Sequence, residues 1–270
     1  MENGGKNITE IKFYECGYCV NHLSHVFRHH HKEKRNFPAL VVLIKHKEYG
    51  NVLFDTGYSE LIYKNGFASF LYNAINKSYV KPEDTIYSKL LADGIEPESV
   101  KKIILSHAHP DHIGGLNLFD NYELISTKKV IETLKKGKIG DLVFRNMIPT
   151  GNVKYCAVKE YKEEYFLREY FDQLYDVFGD GSTIGAELNG HAKGQLGIYL
   201  SEQKVFLVAD ACWGRDLLSR IKDMRFIPRR IQNNYGEYCK TANALSRLLN
   251  DHPEIQIIYS HDKNKGVGNE

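Results

Sequence analysis

The sequence predicts an α+β protein. Apolar runs of strand length alternate with helix-periodic segments, and the order of strands followed by helices occurs twice along the chain. The chain has 270 residues, 42% of them hydrophobic, which is enough for one large core or two small ones. Histidines and aspartates gather where the strand-like runs end, so the polar chemistry is concentrated at strand termini.

The elements follow in order. Residues 8–14 and 39–46 read as strands, and the second turns at Glu48-Tyr49-Gly50 into a third over 51–54, forming a hairpin. Pro82-Glu83-Asp84 starts a helix in which Ile86, Leu90 and Leu91 recur at helical spacing, and Gly94 ends it. A strand at 101–105 comes next, then a strand at 122–126 and a helix at 128–136. In the second half, strands near 175–178, 183–188, 197–200 and 204–209 precede a helix around 241–250 and a last strand at 255–260. No internal repeat is visible, nor a linker long enough to separate domains, so residues 1–270 read as one domain.

The segment His107-Ala108-His109-Pro110-Asp111-His112 directly follows the apolar run Ile103-Ile104-Leu105 and leads into Gly114-Gly115. Imidazole and carboxylate are the ligands that borderline divalent metals such as zinc take. Burying so many ionisable groups beside a strand end is costly without a metal. Two histidines at i and i+2 leave an extended segment on the same side, while Asp111-His112 can turn towards a second ion. One short loop can therefore serve two metals. Downstream, Gly190-His191, Val208-Ala209-Asp210 and Tyr259-Ser260-His261 each lie after or within a short apolar run, and upstream Val52-Leu53-Phe54 runs into Asp55-Thr56-Gly57.

Taken together, these motifs resemble the metallo-β-lactamase superfamily: an HxHxDH signature followed by isolated His, Asp and His at strand ends. The resemblance runs from about Phe37 to Asp262 and implies a four-layer αββα sandwich. It puts His107, His109 and His191 on a first divalent metal ion and Asp111, His112 and His261 on a second, with Asp210 bridging both. Zinc is the leading metal, with iron and manganese open. Asp55 matches the acidic residue that supports the site from behind the ligands; capping its own turn is compatible with that role. Several local features look like the N-acyl homoserine lactone hydrolase branch: residues 91–100 before the metal strand, Phe178-Gly179-Asp180-Gly181-Ser182, and Asp210-Ala211-Cys212. The chain departs from that branch at Gly190-His191-Ala192-Lys193-Gly194-Gln195, where the branch has Gly-His-Thr-Pro-Gly-His. It also carries Trp213 in the substrate pocket where the lactonases carry a tyrosine; an indole offers only an N–H and more bulk.

Composition agrees with an enzyme outside the membrane. No stretch approaches the ~18 apolar residues that a span requires. The polar start, Met1-Glu2-Asn3-Gly4-Gly5, lacks the apolar core of a secretory leader. Five cysteines and no leader point to reduced thiols and a cytoplasmic location, with Cys16-Gly17-Tyr18-Cys19 a structural or incidental pair. A net charge of +2 argues neither for nor against nucleic acid.

Three segments fall outside the common scaffold. Residues 7–36 comprise a strand and a substrate loop, and His29-His30-His31 among basic residues reads as a solvated loop or a third metal site. Residues 58–80 are aromatic-rich and read as a lid, a packed helix or a dimer face, which leaves a homodimer open. Residues 139–174 supply aromatic walls or ordinary core.

The expected chemistry follows from the metals. Two cations sharing a water lower its pKa from about 15.7 towards ~7, which makes hydroxide available at neutral pH. Asp111 and Asp210 are the candidate catalytic carboxylates, relaying a proton to the leaving atom. The expected reaction is hydrolysis of a carboxylic ester or lactone of a small, apolar or aromatic substrate. Three alternatives remain within enzymes. A phosphodiesterase or nuclease would grip phosphates with Arg220, Lys222, Arg225, Arg229 and Arg230, which otherwise form a solvated helix face; a glyoxalase-like thioesterase and a mononuclear iron oxygenase are the others. A ligand-binding domain without activity is the non-enzyme alternative.

Overall fold

The segment Lys34–His46 is apolar on both faces, which sets the layer order of the molecule. The computed structural model describes residues 6–262; the polar start read above for a leader lies outside them. Seven strands form a first sheet: β1 (Ile8–His22), β2 (Lys34–His46), β3 (Gly50–Phe54), β4 (Lys77–Tyr79), β5 (Val100–Ile104), β6 (Tyr122–Ser126) and β7 (Val153–Ala157), in the order β4-β1-β2-β3-β5-β6-β7. Six form a second: β8 (Lys159–Glu160), β9 (Leu174–Asp176), β10 (Thr183–Glu187), β11 (Leu196–Leu200), β12 (Val205–Ala209) and β13 (Gln256–Tyr259), in the order β13-β12-β11-β10-β9-β8.

Side chains alternate across each strand, and this builds the layers. Leu40, Val42 and Ile44 of β2 face inward with Phe54 and Ile104, against Leu196, Ile198 and Leu207 of the second sheet. Val41 and Leu43 face outward and join Ile86, Leu90, Val130 and Leu134 from two helices. On the far side, Ile184, Phe206 and Val208 pack on Tyr238, Leu245 and Leu248 of the helix Tyr235–Asp251. The result is helix, sheet, sheet, helix. Each fully buried aliphatic side chain is worth roughly 1.5–3 kcal/mol.

Strand direction brings the chemistry to one edge. β3, β5 and β6 are parallel, with Phe54 beside Ile104, so Asp55 and Ser106-His107 leave the sheet side by side. β12 and β13 are parallel, with Ala209 beside Tyr259, so Asp210 and His261 emerge together. β10 is antiparallel to β11, and β11 to β12, which delivers His191 to the same edge. Backbone hydrogen bonds stitch the two sheets there, Leu196 N to Ser106 O at 2.9 Å and Leu40 N to Ser260 O at 3.2 Å.

The structure differs from the sequence reading where pairing, and not pattern, makes the element. β1 runs on to His22, past a register shift at Glu15/Tyr18 that Gly17 accommodates with φ of +80°, and β2 begins at Lys34. Much of the segment read as a loop is therefore paired backbone, with the non-strand part carrying the short helix Leu23–Val26. β4, β7 and β8 are too short or too polar to show as strands alone. Residues 58–80 contain the helix Gly66–Ile75, which buries Ala68 and Tyr72 but leaves Phe67, Phe70 and Ile75 exposed. Residues 139–174 split between the two sheets, and Phe144 and Met147 pack into the core of the first half. The last long helix begins at Tyr235 because the Asn234 side chain accepts from Glu237 N and caps it. Among the described residues no helix is long and apolar enough to cross a membrane.

Candidate metal centre

The site starts with Asp55, which lies at the end of β3 with φ of +62°, a left-handed conformation rare for a residue with a side chain. Its Oδ1 accepts from Ser106 N at 2.8 Å and its Oδ2 from Ser106 Oγ at 2.7 Å. The next residue, Thr56, donates through both N and Oγ1 to His112 O, which ties the loop after β3 to the loop after β5. Asp55 is thus aimed across at the neighbouring loop and not at its own turn.

Two clusters result. His107, His109 and His191 form one; Asp111, His112, Asp210 and His261 form the other; all seven are buried except His109, which is partly exposed as a residue. In the first, His109 Nδ1 lies 3.1 Å from His107 Nε2 and 2.9 Å from His191 Nε2. In the second, Asp210 Oδ2 lies 3.0 Å from His261 Nε2 and Asp210 Oδ1 lies 3.3 Å from His112 Nε2. Asp210 Oδ2 is also 3.3 Å from His191 Nε2, so this carboxylate touches both clusters. Asp111 Oδ2 stands 3.4 Å from His261 Nε2.

The far side of four of the five rings is fixed. His107 Nδ1 meets Ser106 Oγ at 3.0 Å, His112 Nδ1 meets Asp55 Oδ2 at 2.7 Å, His191 Nδ1 donates to Gln232 Oε1 at 2.8 Å, and His261 Nδ1 donates to Pro38 O at 2.6 Å. Ser106 spends its own proton on Asp55, so it accepts from His107. With their protons held on Nδ1, His107 and His191 turn bare Nε2 lone pairs towards His109 Nδ1, which has at most one proton to give. Such a convergence of acceptors fits a cation. The second cluster makes the same case by charge. His112 Nε2 and Asp210 Oδ1 are buried and face each other without hydrogen-bond geometry.

The electrostatics divide the same way. Burial and the neighbouring rings hold His107 and His109 well below the ordinary histidine range, as neutral ligands must be. Burial opposes charge on His112 too, but Asp111, Asp55 and Asp210 outweigh it and hold it well above that range. Burial likewise opposes ionisation of Asp210, yet His261 and His112 keep it well below the usual carboxylate range. The second cluster calls for positive charge, and the first offers neutral nitrogen.

An apolar cavity opens over both clusters, with Phe37, Val26, Trp213 and Ile231 on its walls and His109, Asp111 and Asp210 at its floor. The half-buried Trp213 ring lies 6.4 Å from His191 and 6.3 Å from Phe37, between centroids. Sequence reasoning missed Gln232, whose amide orientation is set by donation to Pro228 O at 3.1 Å, and no sequence signal marks it. It also missed Ser106, whose place beside the HxHxDH segment was the available signal. His30, His31 and Glu33 form a third, more exposed grouping, in which Glu33 also accepts from Arg35. Of the basic cluster, Arg225 and Arg229 are tied to the carbonyls of Ser24 and Met224, and Arg220 to Asp223. None of the five cysteines is in a disulfide.

Comparison with known proteins agrees with this fold. The family model described as the metallo-beta-lactamase superfamily matches residues 35–261. An N-acyl homoserine lactonase of Agrobacterium fabrum, AiiB, is 25% identical over 197 residues, covering 66% of this chain and 64% of its own length; the match thus spans less than two thirds of that relative. A solved N-acyl homoserine lactone hydrolase with N-hexanoyl-L-homoserine bound at its catalytic metal centre superposes with a TM-score of 0.72 at 20% identity, covering 95% of this chain and 94% of that one. The dizinc lactonase AidC superposes with a TM-score of 0.65 at 17% identity, covering 97% and 90%. With the family model matching residues 35–261, most of its length, the chain belongs to the metallo-beta-lactamase superfamily.

Proposed function

We propose that this protein is a metal-dependent hydrolase that opens a carboxylic ester or lactone carrying an apolar acyl or aryl part. One observation carries the reading: the carboxylate of Asp210 reaches both the His107/His109/His191 cluster and the His112/His261 pair beneath an apolar cavity. Similarity to proteins named as lactonases supports the same reaction class.

Two divalent ions, zinc foremost, would be held by the seven side chains and would supply an acidified water and a positive charge for the carbonyl oxygen. The protein's own residues do the rest. Ser106, Asp55, Gln232 and Pro38 O fix the ring orientations, so the ligand atoms need little reorganisation. Asp111, at the cavity floor and less tightly paired than Asp210, takes the proton released by the attacking water and returns it to the departing oxygen. Phe37 and Trp213 exclude bulk water and receive the apolar part of the substrate.

The decisive experiment sets the metal-loaded protein against matched lactones, aryl esters and bis-aryl phosphodiesters. Turnover of lactones or esters is expected. If phosphodiesters are cleaved with kcat/KM well above every carboxyl ester, the acyl reading is replaced by a nuclease-like one.

A further inference from the structure

We propose that Tyr72 donates a hydrogen bond to the departing oxygen of the substrate, and that Tyr58 positions it for that task. This rests on the hydrolase reading above and extends it to a residue outside the metal-ligand set.

Tyr72 sits on the inner face of the helix Gly66–Ile75 and lines the same cavity as Asp111, Asp210 and His109. Its ring is held edge-on against Phe144, with centroids 5.6 Å apart. Its hydroxyl lies 2.8 Å from the hydroxyl of Tyr58, which is fully buried. Tyr58 is in turn anchored on the loop after Asp55-Thr56-Gly57 by donation of its N–H to Cys16 O at 2.9 Å. A phenol has one proton to donate and two lone pairs to accept with. Two phenols sharing one hydrogen bond therefore leave one O–H undelivered. Of the two, Tyr72 lines the cavity and Tyr58 does not, so the arrangement that serves the substrate has Tyr58 donating to Tyr72 and the free proton on Tyr72.

The cavity lining points to the atom it serves. Tyr72 shares that lining with Asp111, the carboxylate assigned above to the departing oxygen. Trp213 stands beside His191. Hydrolysis adds water across the acyl C–O bond: the water oxygen bonds to the acyl carbon, the C–O bond breaks, and the water's proton ends on the departing oxygen. Tyr72 stabilises the negative charge growing on that oxygen and keeps its own proton, so no co-reactant is needed. The device matters for a strongly basic alkoxide leaving group and is superfluous for a weakly basic one. The substrates it suits are alkyl esters and lactones.

The test compares ethyl butanoate with 4-nitrophenyl butanoate, which share an acyl group, using metal-loaded wild type, Tyr72→Phe and Tyr58→Phe, with metal content measured on each. Tyr72→Phe is expected to lose about 10²–10³ in kcat on the ethyl ester, the scale of one missing oxyanion donor, and to leave the nitrophenyl ester nearly unchanged. Tyr58→Phe should show a smaller loss with the same leaving-group dependence. Equal loss on both esters, or none, overturns the proposal while the hydrolase reading stands. If wild type cleaves neither a lactone nor either ester, both fall. Should Tyr72→Phe fail to retain metal, the contrast between the two esters in Tyr58→Phe decides in the same way.

Discussion

His112 Nδ1 and Asp55 Oδ2 meet at 2.7 Å with both side chains shut off from solvent, joining residues 57 positions apart. Asp55 can reach His112 because its backbone takes a φ of +62° and because β3 and β5 run parallel beside each other. The contact turns His112 Nε2 towards Asp210. Replacing Asp55 by Ala is expected to lower metal affinity or activity about 10–100-fold, the usual effect of losing a partner behind a ligand. Asp210→Ala, which removes a carboxylate common to both clusters, should lose bound metal and nearly all turnover. Metal analysis and kcat/KM on the two variants separate the roles; equal and mild effects would show that Asp210 is misassigned.

The two clusters predict a stoichiometry. Protein prepared with excess zinc should hold close to two ions per chain, about 3.5–4 Å apart as in other two-metal sites. A structure of that preparation with one ion, and with Asp111 and His112 turned away, would remove the second site from the mechanism.

Gln232 is a test of orientation without ligation. Its Oε1 accepts from His191 Nδ1 at 2.8 Å, which leaves Nε2 to face the first cluster. Gln232→Ala should weaken metal binding about 10–100-fold, and Gln232→Glu, which keeps an acceptor, should restore most of it. Chelator competition measures both; an unchanged affinity in Gln232→Ala means the ring is held by packing alone.

Trp213 forms a cavity wall next to Phe37 and His191. Trp213→Ala should raise KM for aryl esters about 10-fold or more, since a lost apolar contact is worth ~1–3 kcal/mol, with zinc content unchanged. A fall in kcat at constant KM would place Trp213 at the reacting atoms instead.

Glu187 ends β10, ahead of the loop that carries His191, and accepts from Lys129, Asn189 and Tyr175. Burial works to raise its pKa, but hydrogen bonds from Lys129, Asn189 and Tyr175 outweigh burial and hold it below the usual carboxylate range. A carboxylate with a depressed folded value contributes stability that is fully present above its unfolded value and lost as pH falls through the folded one. Glu187→Gln should therefore cost about 1–3 kcal/mol at neutral pH, and the gap to wild type should begin to narrow as pH falls past the unfolded value of about 4.3 and close below the folded one. Denaturant unfolding at neutral and acid pH measures it; a gap independent of pH would assign the loss to packing.

The seven proposed ligands could be picked out in the sequence because metal-binding residue types leave a local signature. His107, His109, Asp111 and His112 fall within six residues after an apolar run, and His191, Asp210 and His261 follow near the ends of β-strands whose apolar runs are themselves visible. The layered order came from the resemblance to the superfamily, and the apolar runs of β2 and β12 agree with it by announcing burial without a partner. What only tertiary structure decided are the features made by contact between distant segments. β1 extends to His22 because Lys34–His46 lies beside it and pairs with it. Gln232 reaches His191 across 41 positions, and Tyr72 meets the metal cavity from a helix that in sequence reads only as aromatic-rich. A hydrogen bond to a ring nitrogen or a phenol aimed into a cavity leaves no periodicity behind. Its energy depends on where two backbones cross, and the packing of two sheets sets that.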